Sequence, residues 1–549
     1  MSEAEQILLR RLSVFNGGCS LSTVETVCAG DGLERSQLLD LLSSLIHKSL
    51  LVAETLQGDE ARYSLLETIQ EYGRENLVRS GEWSLMRDRH LQCYLELTES
   101  ADLQLRGEQQ QLWLNRLDHE YDNLRAALAW SLEGGRLESV RKAAGLRIAT
   151  GLYQYWRIRD YVEEGLQWSS QLLAEANDEI PTTVRVNALS YTSILASIRD
   201  HTELQMRYAQ QAVVLGETAD ETTKPALAMA LGAQSYAARK MGDYQTSFHL
   251  AMREIQLFRE LGDVYNLALG LSINSFATMS LGKYEQAQAM LDKALPLLRE
   301  LGDPYRIAMA LNFTGDLARC EHDYTRAIPA HEESISLLRT IDAQRDLASA
   351  LHNLGHACLH LGDGERARDH FLESMAIHQE QQNRLGMAEC LLGFAALAIT
   401  ADMPVEGARL LSAALAHSGE HISSEWTATR LEYEYYSGRV CKILTDREFR
   451  SAERAGQRLV LAEAVRLAQD LVLKLEAAQR ASRKLDELTQ RENEIATLIA
   501  QGMSNGEIAA ELVLSKRTVE KHISNIRSKL AFTRRSQIVR WAIEIGLLD

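Results

Sequence analysis

The stretch SKRTVEKHISNIRSKL, Ser515 to Leu530, holds five cations (Lys516, Arg517, Lys521, Arg527 and Lys529) and one acid, Glu520. Positive charge gathered in a segment the length of one helix suits the chemistry of phosphate. The spacing is helical. Val519, Ile523, Ile526 and Leu530 form an apolar stripe, and at about 100° per residue Lys521 and Ser528 point directly away from it. Ser524 and Asn525 flank them, and Glu520 lies to one side. All five are polar side chains able to bond base edges, which is what a helix in a major groove presents. Lys516, Arg517 and Thr518 open the helix, where free N–H groups and the helix dipole favour a phosphate. The candidate base-reading residues are therefore Glu520, Lys521, Ser524, Asn525 and Ser528. The candidate phosphate contacts are Ser504, Asn505, Lys516, Arg517, Thr518, Arg527 and Lys529. From Ser515 to Arg540 eight cations stand against Glu520 alone, in a chain of formal net charge −17. An acidic body with one basic module fits a protein that touches DNA only locally.

The elements that must hold this helix are also legible. Thr489 with Glu492 has the spacing of a capping box and starts one helix, with Ile495, Leu498 and Ile499 as its buried stripe and Gly502 as its stop. Ser504 with Glu507 is a second capping box, followed by Ile508, Ala509 and Leu512. Val513-Leu514 make a tight apolar turn, and Ser515 caps the cationic helix. Three short helices with one tight turn describe a helix-turn-helix. The competing reading of the same charge is a solvated basic helix in a bundle that docks on protein.

The 549 residues are too many for one core and imply several domains. The 46% hydrophobic and 25% charged fractions are those of a globular protein, and six prolines with abundant helix formers predict a mostly α chain. The seven cysteines are scattered and form no C-x-x-C pair, as expected for reduced, buried thiols in the cytosol. There is no apolar run of bilayer length and no signal-peptide layout, so a cytoplasmic protein with no membrane partner is expected. No nucleophile elbow, phosphate loop or metal-ligand cluster occurs, so neither an enzyme nor a cofactor or metal site is expected. His352 and His356 lie a helical turn apart without a third ligand, which favours solvated or repeat-packing roles.

The middle of the chain repeats every 40 residues. Tyr244, Tyr284 and Tyr324 mark the step, continued by Gly364 and Pro404. Ala228, Ala268, Ala308, Ala348 and Ala388 share a register. So do Leu231, Leu271, Leu311, Leu351 and Leu391, and the small residues Ser235, Ser275, Gly315, Gly355 and Ala395. A small side chain lets two helices approach while a leucine fills the groove beside it. Each unit then reads as two antiparallel helices, and units stack into an α-solenoid because one pair cannot cover its own apolar face. Weaker copies precede, around RDYVEEGLQW and HTELQMRYAQQA. Near the N-terminus, a helix over SQLLDLLSSLIHKSLL, two strands around Gly58-Asp59 and a helix from ETIQEYGREN suggest a winged helix. Leu112, Trp113, Leu117, Tyr121, Leu124 and Leu128 form a helical stripe that stops at Gly134-Gly135. HSGEHISSEW reads as a loop and LEAAQRASRKLDE as a polar helical tether.

The segments LTQRENEI, GMSNGEIAAEL, SKRTVEKHISNIRSKL and RSQIVRWA closely resemble the LuxR-type helix-turn-helix family of bacterial transcription regulators. The resemblance covers about the last sixty-five residues. It implies that the helix after TVE enters the major groove, with Glu520, Lys521 and Ser524 at base-reading positions. It also implies dimers through a fourth helix, with Ile538, Ala542 and Ile545 on or near the contact. The repeats resemble the tetratricopeptide type in a longer version. The segments LLRRLSVFNGGCSLSTVETVCAG, RYSLLETIQEYGREN and LDHEYDNLRAALAW are similar to the part that follows the nucleotide-binding domain in large signal-transducing ATPases with LuxR-type tails. There the winged helix is a regulatory hinge. The G-x-x-x-x-G-K-[ST] loop of such ATPases does not occur here, and LGKYEQ at Leu281 belongs to a repeat. The alternatives are a shortened relative or a chain lacking an N-terminal part.

The expected organisation is a winged-helix-like module over 1–80, a helical connector over 81–140 and a solenoid over 141–418. A helical linker over 419–484 and a four-helix helix-turn-helix domain over 485–549 follow. The expected function is a transcriptional regulator that binds double-stranded DNA as a homodimer. Its solenoid senses a small-molecule or protein effector. The alternative is an interaction scaffold whose basic C-terminal bundle docks on protein.

Overall fold

The computed structural model describes residues 1–55, 61–134, 137–418, 427–486 and 488–544. They fall into two compact units, Met1–Gly386 with Glu420–Tyr433, and Met387–Gly419 with Glu434–Asp549. Helix dominates both, as the composition predicts.

The first unit opens on the helix Glu3–Leu12, started by a capping box of Ser2 and Glu5. Helices Leu21–Cys28 and Leu38–His47 follow, packed through Leu8, Leu12, Val24 and Leu42, all essentially inaccessible. Three strands complete the module: β1 (Cys19–Ser20), β2 (Leu51–Thr55) and β3 (Ala61–Leu65), all antiparallel in the order β1-β3-β2. Leu51 pairs with Leu65 and Thr55 with Ala61, so the expected two strands are present. Their turn at Gly58-Asp59 lies outside the described residues. The two-residue strand β1 is additional to the sequence reading, because a segment that short carries no alternation. The next helices are Trp83–Gln104 and Gln110–Ser131. The stripe of the latter begins at the buried Leu114 and continues through Leu117, Tyr121, Leu124 and Leu128, whereas Leu112 is 64% exposed.

From Lys224 the repeats keep step. Helices begin at Lys224, Tyr244, Val264, Tyr284, Pro304, Tyr324, Gln344, Gly364, Arg384 and Pro404. Asp243, Asp263, Asp303, Asp323 and Asp363 cap five of them, each side chain accepting a backbone N–H three residues on. The repeated alanines from Ala228 to Ala388 are fully buried, and the repeated leucines from Leu231 to Leu391 are nearly so. The small register has the reason anticipated for it. A Cβ on Gly315 would meet the His331 ring at 2.5 Å, and one on Gly355 would meet Phe371 at 2.5 Å. The weaker copies upstream also form helices, Val162–Ala174 and Thr202–Glu217.

His352 and His356 are buried, not solvated; their rings pack on each other and on Phe371. Burial pushes His352 down to about 3 and His356 well below its ordinary value, so both are neutral packing residues. All seven cysteines are free thiols; Cys441 is exposed, and none of the others is. No helix among the described residues is long and apolar enough to cross a membrane, and no group of three His, Cys, Asp or Glu there could hold a metal ion.

In the second unit, Pro404–Ser418 packs with Asp446–Gln457, where Gly456 approaches the Arg409 carbonyl too closely for any side chain. Leu461–Asp486 is one long helix, which includes the expected tether. The HSGEHISSEW loop falls almost wholly outside the described residues.

Candidate nucleic-acid interface

The C-terminal module has four helices: Gln490–Ala500, Asn505–Glu511, Lys516–Lys529 and Arg535–Glu544. Both capping boxes form. Thr489 Oγ1 accepts the Glu492 N–H at 3.3 Å, and Glu492 Oε2 accepts the Thr489 N–H at 2.9 Å. Ser504 and Glu507 repeat the arrangement at 3.4 and 2.7 Å. Gly502, at φ +86°, ends the first helix. The second ends at Val513, whose φ of +54° allows the Leu514 N–H to reach the Ala509 carbonyl at 2.8 Å. A β-branched residue is strained in this left-handed region, and Val513 is 90% exposed with little packing to offset it. Ser515 then caps the third helix, its Oγ accepting the Thr518 N–H at 3.1 Å.

The third helix is amphipathic as the spacing predicts. Val519, Ile523, Ile526 and Leu530 are buried in a core shared with Ile495, Ile499, Ile508 and Trp541. On the opposite side Glu520, Lys521, Ser524, Asn525 and Ser528 are all exposed. Lys516 and Arg517 are exposed at the N-terminus, and Thr518 is half-buried. Ser504 is exposed and Asn505 half-buried at the start of the second helix.

The cations divide into two groups. Lys529 Nζ donates to Glu492 at 2.7 Å, and Glu492 is 2% exposed. Burial pulls the Glu492 carboxyl upward, but Lys529 and Thr489 outweigh it and hold the group below the usual carboxylate range. Arg535 donates to Asn505 Oδ1 at 2.5 Å and to the Met503 carbonyl at 2.6 Å, tying the fourth helix to the second. Arg527 donates to the Thr533 carbonyl. Arg491 donates to the Leu512 carbonyl at 2.6 Å and so braces the turn. Of the candidate phosphate contacts, Ser504, Asn505, Thr518, Arg527 and Lys529 thus already have intramolecular partners, Ser504 and Thr518 through their helix caps. Lys516, Arg517, Lys521 and Arg534 form no ion pair among the described residues. Sequence reasoning gave no role to Arg491 or Arg535. The only signal for Arg535 was membership of a basic cluster, which does not separate a brace from a ligand contact, and Arg491, beside Glu492, had none.

The fourth helix corrects one expectation. Ile538 and Ala542 are fully buried in the module's own core, so their side chains offer no surface to a second copy. Ile543 is the exposed apolar residue of that helix, at 56%. Ile545 lies outside the described residues.

Residues 486–542 match the luxR family of bacterial regulatory proteins. Residues 1–78 match a winged helix-turn-helix domain, and residues 267–340 match the tetratricopeptide repeat. Over 200 residues the chain is 38% identical to Rv0890c of Mycobacterium tuberculosis (strain ATCC 25618 / H37Rv), which carries the name of an HTH-type transcriptional regulator. That alignment takes in 36% of this chain and 22% of the relative, so the chain spans about a fifth of the relative's length. The response regulator protein VraR of Staphylococcus aureus (strain NCTC 8325 / PS 47) is 47% identical over 62 residues, 11% of this chain and 30% of that one. Among solved structures, a Signal Transduction ATPase with Numerous Domains from Pyrococcus horikoshii, with a tetratricopeptide repeat sensor, is 16% identical. It covers 82% of this chain and 66% of its own, with a TM-score of 0.42. The chain therefore carries a luxR-family helix-turn-helix module at its C-terminus, tetratricopeptide repeats in its middle and a winged helix-turn-helix domain at its N-terminus.

Proposed function

We propose that this chain is a DNA-binding transcriptional regulator whose repeat array senses an effector and controls promoter binding by the C-terminal module. One observation carries the reading. A helix backed by four buried aliphatic residues turns five exposed polar side chains outward, and Lys516, Arg517 and Lys521 on it have no ion pair among the described residues. Glu520, Lys521, Ser524, Asn525 and Ser528 would read base edges, and Lys516, Arg517 and Thr518 would take phosphates. Ser504, at the second helix's N-terminus, is a further phosphate contact. Arg527, Lys529 and Asn505 serve chiefly to hold the module together. On DNA the protein would act as a dimer, using the exposed side of the fourth helix near Ile543 in place of Ile538 and Ala542.

The test is selection of bound duplexes from a random pool by the whole chain. A consensus should emerge, and Lys521→Ala should flatten preference at one or two positions by about 1–3 kcal/mol per base contact while binding persists. A variant that recovers the same consensus with the same discrimination removes Lys521 from the reading face. A wild-type chain that selects no duplex, yet captures protein through this helix, establishes the scaffold alternative.

A further inference from the structure

A cavity of about 160 Å³ in the repeat-bearing unit is not used by any role assigned so far. Its volume has room for a small molecule and is well beyond that of a single water. Its wall is built from equivalent registers of successive repeats. Met229, Leu269, Met309 and Ser349 are 40 residues apart, and so are Asn266, Arg306 and Asp346. The array thus brings one position per repeat to a common space, while the chemistry at each position differs.

That chemistry is cationic. Five arginines line the cavity: Arg106, Arg157, Arg239, Arg306 and Arg345. Only three acids join them, and each is occupied. Asp102 is paired with Arg106. Asp346 accepts the Tyr305 hydroxyl at 2.7 Å. Glu254 accepts the Asn274 amide at 2.8 Å, and burial pushes its carboxyl up to about 8, so it is largely protonated near neutral pH. Arg157, Arg306 and Arg345 have no carboxylate at ion-pair distance among the described residues. Arg306 is 5% exposed, and both its Nε and that of Arg157 are buried without a hydrogen-bond partner. These two guanidinium groups flank the Tyr305 ring, at 5.4 and 5.3 Å from its centroid. Arg306 feels Asp303 and Arg157 feels Asp346, neither within ion-pair distance, so both cations are compensated only from afar, and an anion entering the cavity would offset the remaining cost of their burial. The remaining wall is largely aromatic and aliphatic, with Gln154, Asn266, Asn312 and Ser349 as its uncharged polar members and the Tyr153 and Tyr191 ring centroids 4.6 Å apart, and it suits an apolar body attached to the anion.

We infer that this cavity is the effector site and takes a small molecule bearing one carboxylate or phosphate on an apolar or aromatic body, with Arg306, Arg157 and Arg345 receiving the anion. The inference rests on the reading of the repeats as a sensor, and it names the ligand class.

The test is isothermal titration of the whole chain, without DNA, with phenyl phosphate, phenylacetate and the neutral benzyl alcohol. At least one anionic probe should bind with a dissociation constant of about 1 mM or tighter, and benzyl alcohol about tenfold more weakly or not at all. Comparison of phosphate with carboxylate identifies the anion class. Arg306→Met should weaken the anion by about tenfold or more, and Arg306→Lys should restore part of the loss. Arg345→Met, at a half-buried site with no ion pair, gives the same readout should Arg306→Met fail to fold. Arg253→Met, on an exposed arginine paired with Glu217, should change nothing. Equal binding of benzyl alcohol, no binding of either anion, or indifference to both arginine variants overturns the inference. A chain that takes up phenyl phosphate but selects no duplex keeps the cavity assignment and loses the regulator reading. The reverse result loses only the cavity assignment.

Discussion

The repeat array and the C-terminal module differ in how their exposed arginines and lysines are partnered. In the repeats, several exposed arginines are tied to acids on neighbouring helices. Arg299 meets Glu333 at 2.7 Å, Arg339 meets Glu373 at 2.6 Å and Arg366 meets Glu332 at 2.6 Å, each pair 34 residues apart. Deeper, Arg319 bonds Asp316, Asn353 and Glu432 at 3.0, 3.0 and 3.3 Å. In the module, Lys516, Arg517 and Lys521 are exposed and form no ion pair among the described residues. The same residue types are structural where they are paired and available to a ligand where they are not. Counting cations does not distinguish the two, but counting their partners does.

Three substitutions sharpen that contrast. The largest effect belongs to Arg319→Met. Arg319 and Glu432 are almost wholly buried, and removing one member leaves uncompensated charge, so stability should fall by about 3 kcal/mol or more. Loss of the urea midpoint with unchanged DNA affinity of the remaining folded fraction would keep the repeats and the module functionally distinct.

Glu492→Ala comes next. It removes a capping box and the Lys529 partner together, and should cost the module about 2 kcal/mol. Because the folded carboxyl titrates below its unfolded value, its contribution is present above the unfolded value and lost as pH falls through the folded one. Acid melts of the wild type should therefore converge on those of Glu492→Gln. A constant gap between them at all pH values would contradict the Lys529 link.

The smallest effect belongs to Arg299→Ala, an exposed pair worth no more than about 0.5 kcal/mol. A larger loss in chemical denaturation would mean that the ladder between repeats is a main source of stability.

Much of the fold was readable in the sequence. The 40-residue step, the two capping boxes and the stripe from Val519 to Leu530 are local or periodic signals, and each is realised. What escaped depends on partners brought together by folding. Nothing near Lys529 in the sequence announces Glu492, 37 residues away. Arg535 and Asn505 are 30 apart, and they meet only once the fourth helix docks. Ile538 and Ala542 look like any apolar helical pair, and only the packed core decides that they face inward. The strand β1 is too short for a pattern. The cavity was not legible in the sequence, because Asn266, Arg306 and Asp346 share a repeat position without sharing a chemistry.

The central claim is that unpaired cations on the third helix meet DNA phosphates. It is tested most directly by fluorescence anisotropy of one duplex with the whole chain across a salt series, comparing wild type with Lys516→Ala. The logarithm of affinity should fall linearly with the logarithm of salt, and Lys516→Ala should make that slope shallower by about one. A flat salt response in the wild type, or a slope untouched by Lys516→Ala, would contradict it.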